Sequence, residues 1–104
     1  MPFTTDPDRS DVLDNAFQSK VVAIGTTQIE VKCGTNLLAG RQAIVIYNDS
    51  ASIVYFGPTG VTTTGANKGI PIFKKQTLFI QIGGIQCYLI AGTAANDVII
   101  QELG

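Results

Sequence analysis

Residues 42–56, with the sequence QAIVIYNDSASIVYF, indicate the fold more directly than any other stretch of the chain. The stretch begins with a run rich in β-branched and aromatic residues, and residues 52–56 form a second run of the same kind. Between the runs lie residues 48–51, which favour turns. Apolar runs bounded by turn formers are typical of strands. The stretch therefore predicts two strands joined as a hairpin.

The same character continues over residues 21–104. Residues 27–33 alternate between polar and apolar side chains, with Ile29, Val31 and Cys33 on one face. Turn signals recur about every 8–12 residues, which is the spacing typical of sandwiches and barrels. The strand-like runs between them cover residues 61–64, 70–72, 77–82, 86–91 and 97–103. Pro71 restricts its run to an edge or a strand end. We predict an all-β domain over residues 21–104, either a single antiparallel β-sandwich or a jelly-roll-like barrel of seven or eight short strands.

Residues 1–20 have a different composition and are predicted to be an N-terminal arm. They contain two prolines and four aspartates against one arginine and one lysine, whereas residues 21–104 carry a net charge of +1. Ser10 is a suitable N-cap for a short helical turn over residues 10–17, with Val12, Leu13, Ala16 and Phe17 on one face. The arm is expected to be extended, disordered or docked on a partner.

The sequence lacks the groups that most enzymes use. It has no histidine, which removes the most common general base and metal ligand. Cys33 and Cys87 are too far apart in sequence for a CxxC motif, so no zinc or redox site is indicated. The carboxylates after the arm occupy turns, a polar strand face or the last strand, where local structural roles account for them; these are Glu30, Asp49, Asp97 and Glu102. We predict no catalysis, no cofactor and no metal.

Charge and hydropathy exclude further classes of function. The net charge is −1, without the basic patch that nucleic-acid binding requires. No apolar run approaches the ~20 residues that cross a bilayer, and the acidic N-terminus lacks the features of a signal peptide. We therefore expect synthesis in a cytoplasm and no membrane partner. Two buried free thiols are expected there, with a disulfide between neighbouring strands as the alternative.

Several predicted strands are apolar on both faces, which indicates a protein interface. Only 14% of the residues are charged, against about 25% in typical soluble domains. Exposed apolar faces of this kind mark interaction sites, so we expect a homo-oligomer. The candidate interface residues are Ile44, Ile46, Tyr47, Val54, Phe56 and Ile99. The alternatives are a strand inside a barrel, or a face covered by loops or by the arm.

The order of motifs along residues 30–104 resembles the small virion structural proteins of tailed bacteriophages. The resemblance rests on the strand LAGRQAIVIYN, the segments IVYFG and GVTTTG, and a second half with PI, CYLIAGT and DVIIQE; these are residues 38–48, 53–57, 60–65, 71–72, 87–93 and 97–102. One departure is Lys74-Lys75-Gln76, where the family pattern has a Pro-Gly or Gly-Glu turn.

The resemblance implies a non-enzymatic β-sandwich that is part of a phage particle after synthesis in the host cytoplasm. Such proteins are capsid decoration (cement) proteins, head–tail joining pieces, or tail and fibre modules. Decoration of the shell is the leading expectation, with a homo-oligomer, preferably a trimer, bound to the major capsid protein or another virion protein. The arm would then hold a neighbour through Phe3, Val12, Leu13 and Phe17. The alternative from another class is a β-sandwich module that binds carbohydrate or another ligand.

Overall fold

The computed structural model describes residues 17–104, which form eight β-strands and no helix. The strands are β1 (Phe17–Ile24), β2 (Ile29–Glu30), β3 (Ala43–Asn48), β4 (Val54–Gly57), β5 (Ile70–Ile72), β6 (Thr77–Ile80), β7 (Tyr88–Ala91) and β8 (Asn96–Leu103). All neighbouring strands pair antiparallel. The all-β prediction is confirmed.

The strands form two four-stranded sheets that together make a sandwich. The first sheet has the order β1-β8-β3-β6 and the second has the order β2-β7-β4-β5. Apart from the step from β4 to β5, every strand is followed in sequence by a strand of the other sheet. Eight strands interleaved between two antiparallel sheets in this way have the order of a jelly roll.

The predicted hairpin over residues 42–56 is wrong. β3 pairs with β8 and β6 in the first sheet, whereas β4 pairs with β7 and β5 in the second. The connection between them crosses the sandwich around the buried carboxamide of Asn48. This group donates hydrogen bonds to the carbonyls of Ser52 and Ile72, both at 2.8 Å, and accepts from Ser50. The turn formers are present, but they close a crossing between sheets.

The boundary of the arm also differs from the prediction. Residues 17–20, which were assigned to the arm, lie in β1 and pair with residues 100–103 of β8. Phe17 therefore belongs to a sheet, whereas Phe3, Val12, Leu13 and most of the expected helical turn lie outside the described residues. The strand expected over residues 27–33 shortens to β2, and residues 61–64 form no strand. Pro71 lies in an edge strand, β5, as expected.

The turn between β5 and β6 contains the residues that depart from the phage pattern. Lys75 has a φ of 61°, in the left-handed region that glycine adopts most easily. The ammonium group of Lys75 donates to the Asp49 carboxylate at 2.8 Å and to the Asp49 carbonyl at 3.1 Å. The turn thus forms without glycine or proline and is tied to the connection that follows β3.

The core lies between the two sheets and contains most of the residues predicted to form an oligomer interface. Ile44, Ile46 and Val54 have no exposed surface and Phe56 is also buried, all within the same core cluster. These four side chains contact the opposite sheet of their own chain, so their assignment to a subunit interface is wrong. A strand that is apolar on both faces does not reveal which face points inward. Tyr47 and Ile99 point the other way and are half-buried.

Candidate functional site

The outward side of the first sheet is an apolar surface with no described layer over it. Alternate residues of its strands point away from the core because successive side chains of a strand lie on opposite faces. We call this surface the apolar outer face, and its apolar members are Phe17, Val21, Ala23, Ala43, Val45, Tyr47, Phe79, Ile99 and Leu103.

The strand register arranges these side chains in rows across the sheet. One row joins Phe17, Leu103 and Ala43, and another joins Val21, Ile99 and Tyr47. Phe17, Val21 and Phe79 remain 61%, 58% and 57% exposed. Asp97, opposite Ala23 at one end, is the single charged side chain on this face within the four described strands. Ser19, Gln101 and Thr77 also point outward, so the interior of the face offers a partner some hydrogen-bonding groups but no charge.

The apolar outer face is large enough to be a contact surface. With strands ~4.8 Å apart and residues rising ~3.4 Å, each outward position covers about 33 Å², so the 13 outward positions of the four strands cover about 400 Å². The largest apolar patch on a typical soluble monomer is about 300–600 Å² and is often functional. Tyr47 and Ile99, predicted from the sequence to form an interface, lie in its centre.

The outward side of the second sheet differs because charged side chains accompany its aromatic residues. Glu30 forms an ion pair with Lys32 at 3.2 Å. The ammonium group of Lys68 lies 5.7 Å from the centre of the Tyr55 ring, within the range of a cation–π contact. This side therefore suits solvent better than the apolar outer face does.

A buried ion pair joins the loops at one end of the sandwich. The guanidinium of Arg41 lies 3.0 Å from the carboxylate of Glu102, and neither side chain has exposed surface. Arg41 also donates to the carbonyls of Val31, Gly83 and Ile85 at 2.8–2.9 Å. The other acceptor positions of Glu102 are used by the backbone N–H groups of residues 33 and 38.

This arrangement is structural because every charged group in it already has protein partners and no surface that a substrate could reach. The sequence analysis assigned Glu102 to the last strand and gave it no buried partner. A signal was present in β8, where Val98, Ile100 and Glu102 alternate on the inward face. A carboxylate at an inward position requires a buried cationic or hydrogen-bonding partner.

Both cysteines are free thiols. The Cys33 thiol donates to the carbonyl of Ile100 at 3.2 Å. Burial, with the nearby Glu102 carboxylate, raises the pKa of Cys33 to about 11. Burial likewise raises the pKa of Cys87 above its ordinary value. Since the thiolate is the nucleophile, neither residue is activated at neutral pH, and the disulfide considered as the alternative is not formed.

Two clefts provide further concave surface. A groove of about 350 Å³ opens between the sheets and is lined mainly by apolar side chains, including Ile70 and Ile85, which are 60% and 65% exposed. A shallower cleft of about 400 Å³ beside Tyr55 is rich in hydroxyl groups, which come from Ser52, Thr63, Thr64 and Thr93.

Acidic and metal-ligating side chains are dispersed in the part of the chain that the structure describes. Asp49 is paired with Lys75 and Glu30 with Lys32. Over residues 17–104, no three His, Cys, Asp or Glu residues come close enough together to hold a metal ion. That same part of the chain also has no helix of the length and hydropathy that crossing a membrane requires.

Comparison with known proteins gives no match: no family model, no curated protein and no solved structure is significantly similar to this chain.

Proposed function

We propose that this chain is a non-enzymatic structural subunit of a tailed-phage virion, and specifically a capsid decoration protein that stabilises the shell. The observation that carries the proposal is the apolar outer face, which places nine apolar side chains in register on one side of a four-stranded sheet. The jelly-roll strand order gives further support, since viral capsid domains use it, although this support is an analogy at the level of the fold.

Burial of the apolar outer face supplies a favourable hydrophobic contribution to a contact. Nine of the 13 outward positions are apolar, which is about 280 Å² of the face, and burying that area at ~25 cal/mol per Å² supplies about 7 kcal/mol before the costs of association. The absence of charge inside the face makes a charged partner surface unfavourable there. The expected partners are the major capsid protein or another virion protein, together with further copies of the chain.

A variant of the apolar outer face tests the proposal. Phe79→Lys places a charge on the face at a residue that is already more than half exposed, so the fold should be retained. Occupancy on purified particles should fall by about tenfold or more, because the ammonium would be buried without a partner. Ile85→Lys is the matched control, since Ile85 is equally exposed but lies outside the face. Wild-type occupancy by Phe79→Lys would contradict the proposal.

The position on the particle is tested separately. Density for the bound protein on the shell is expected for decoration, whereas density at the neck, tail or fibre would identify a head–tail joining piece or a tail module. Removing residues 1–16 tests the anchoring role proposed for Phe3, Val12 and Leu13, and it leaves β1 intact. Unchanged occupancy after this deletion would exclude that role.

The cleft beside Tyr55 favours a second candidate function, the binding of carbohydrate. It combines one aromatic ring with several hydroxyl groups, and sugar-binding sites commonly use few, well-placed polar groups beside apolar surface. Glycan binding that is lost in Tyr55→Ala, with no incorporation into particles, would replace the structural proposal with this one.

A further inference from the structure

The four edges of the two sheets differ greatly in how well they are protected. An edge strand presents unpaired backbone N–H and C=O groups and is a template for pairing with another chain, which short strands, prolines and charges prevent. β2 has two residues, and β6 has four residues preceded by Lys74 and Lys75. β5 has three residues, of which Pro71 has no N–H to donate.

β1 is the exception among these edges. It has eight residues without proline or glycine, and Lys20 is its one charged side chain. Its pairing with β8 is continuous from Phe17 to Ile24, without a bulge that would twist the edge away. Within the described residues β8 is its one neighbour, and its first five side chains are exposed. β1 is thus a long and regular edge that no described element covers.

We propose that β1 pairs antiparallel with β1 of a second copy of this chain, so that the first sheets of two molecules join into one eight-stranded sheet. A contact of one edge with itself is isologous and closes around a two-fold axis. When that axis is perpendicular to the sheet, the apolar outer faces of both copies lie on the same side. Together they form a surface of about 800 Å², comparable with one side of a standard protein interface.

The residues of β1 favour one register for this pairing. Residues directly opposite each other must lie on the same face, so the outward residues 17, 19, 21 and 23 must oppose one another. Centring the pair on Lys20 would place two like charges opposite each other, which is destabilising. Centring it on Val21 places Lys20 opposite Val22 and pairs residues 18–24 of both strands, which is the longest remaining overlap.

The pairing deepens the proposed function, because it doubles the apolar surface offered to the shell, but its test needs no particle. The variant Val21→Cys places two thiols about 5 Å apart at the two-fold axis. A short bismaleimide should then yield a covalent dimer in high proportion. Phe79→Cys is the matched control, since Phe79 has nearly the same exposure but lies on β6, away from the paired edge; it should form no covalent dimer with the reagent. Equal cross-linking of both variants would overturn the proposal.

A mass measurement in solution provides the second readout. The wild-type protein should have the mass of two chains at high micromolar concentration, and Val21→Lys should weaken the dimer by about tenfold or more, because it brings like charges together. Phe79→Lys should leave the dimer intact even where it abolishes particle binding, which separates this pairing from the proposed function. A monomer, or the mass of three chains, would overturn the pairing. So would a monomer that dimerises only after removal of residues 1–16, since the chain's own N-terminal segment would then cover the edge.

Discussion

The Arg41 guanidinium and the Glu102 carboxylate lie 3.0 Å apart inside the sandwich, with no exposed surface on either side chain. Glu102→Gln should lower the free energy of unfolding by about 3–5 kcal/mol, because it leaves the Arg41 charge buried without its counter-ion. Chemical denaturation measures the loss. Glu30→Gln is the control, since the Glu30–Lys32 pair is partly exposed, and it should cost less than about 1 kcal/mol. Equal losses of unfolding free energy in the two variants would show that the buried pair stabilises the protein no more than the partly exposed pair does.

Asn48 should make a similar contribution through neutral hydrogen bonds. Its carboxamide has no exposed surface and connects the end of β3 with residues 50, 52 and 72. Asn48→Ala removes these bonds and leaves buried backbone carbonyls unpaired, so the free energy of unfolding should fall by about 1–3 kcal/mol. Asn67→Ala, at an exposed position, should change it by less than about 0.5 kcal/mol. Thermal denaturation of both variants measures these two changes, and a loss in Asn48→Ala no larger than that in Asn67→Ala would contradict the prediction.

The Cys33 thiol should react only at high pH. Its pKa is raised from 9.0 to about 11, chiefly by burial, so alkylation of the folded Cys87→Ser variant should be slow at pH 8 and rise towards pH 11. Because the folded pKa lies above the unfolded value, the stability that Cys33 contributes is complete below about pH 9 and is lost as the pH rises towards 11. Mass spectrometry of the alkylated protein follows the reaction. A midpoint near 9 in the folded protein, equal to that of the denatured control, would contradict this expectation.

Most strands could be predicted from the sequence because their signal is local. Alternation and turn residues within a few positions identified β3, β4, β6, β7 and β8 with small errors at their ends. The partner of β3 could not be predicted in this way. The turn formers at residues 48–51 suit a hairpin and a crossing between sheets equally well, and the choice depends on pairing with β8, some fifty residues away.

The candidate site was predicted only in part for a related reason. Tyr47 and Ile99 do lie on the apolar outer face, whereas Ile44 and Ile46, their neighbours in type and position, lie in the core. The sequence of a strand that is apolar on both faces does not show which face points to the core. That choice depends on where the second sheet packs. Glu102 falls at an inward position in the alternation of β8, which indicates a buried partner but does not identify that partner as Arg41.

The place of β8 has a consequence for how the protein is made. β8 is the last strand in sequence order, yet it lies between β1 and β3 in the middle of its sheet. During translation, β1 has no partner strand until residues 96–103 have left the ribosome, and β3 can pair only with β6 before then. Folding is therefore dominated by pairings between distant parts of the chain, which places it in the slow range of milliseconds to seconds. A chain without β8 would lack the strand that joins β1 to β3, so the first sheet could not form as one unit.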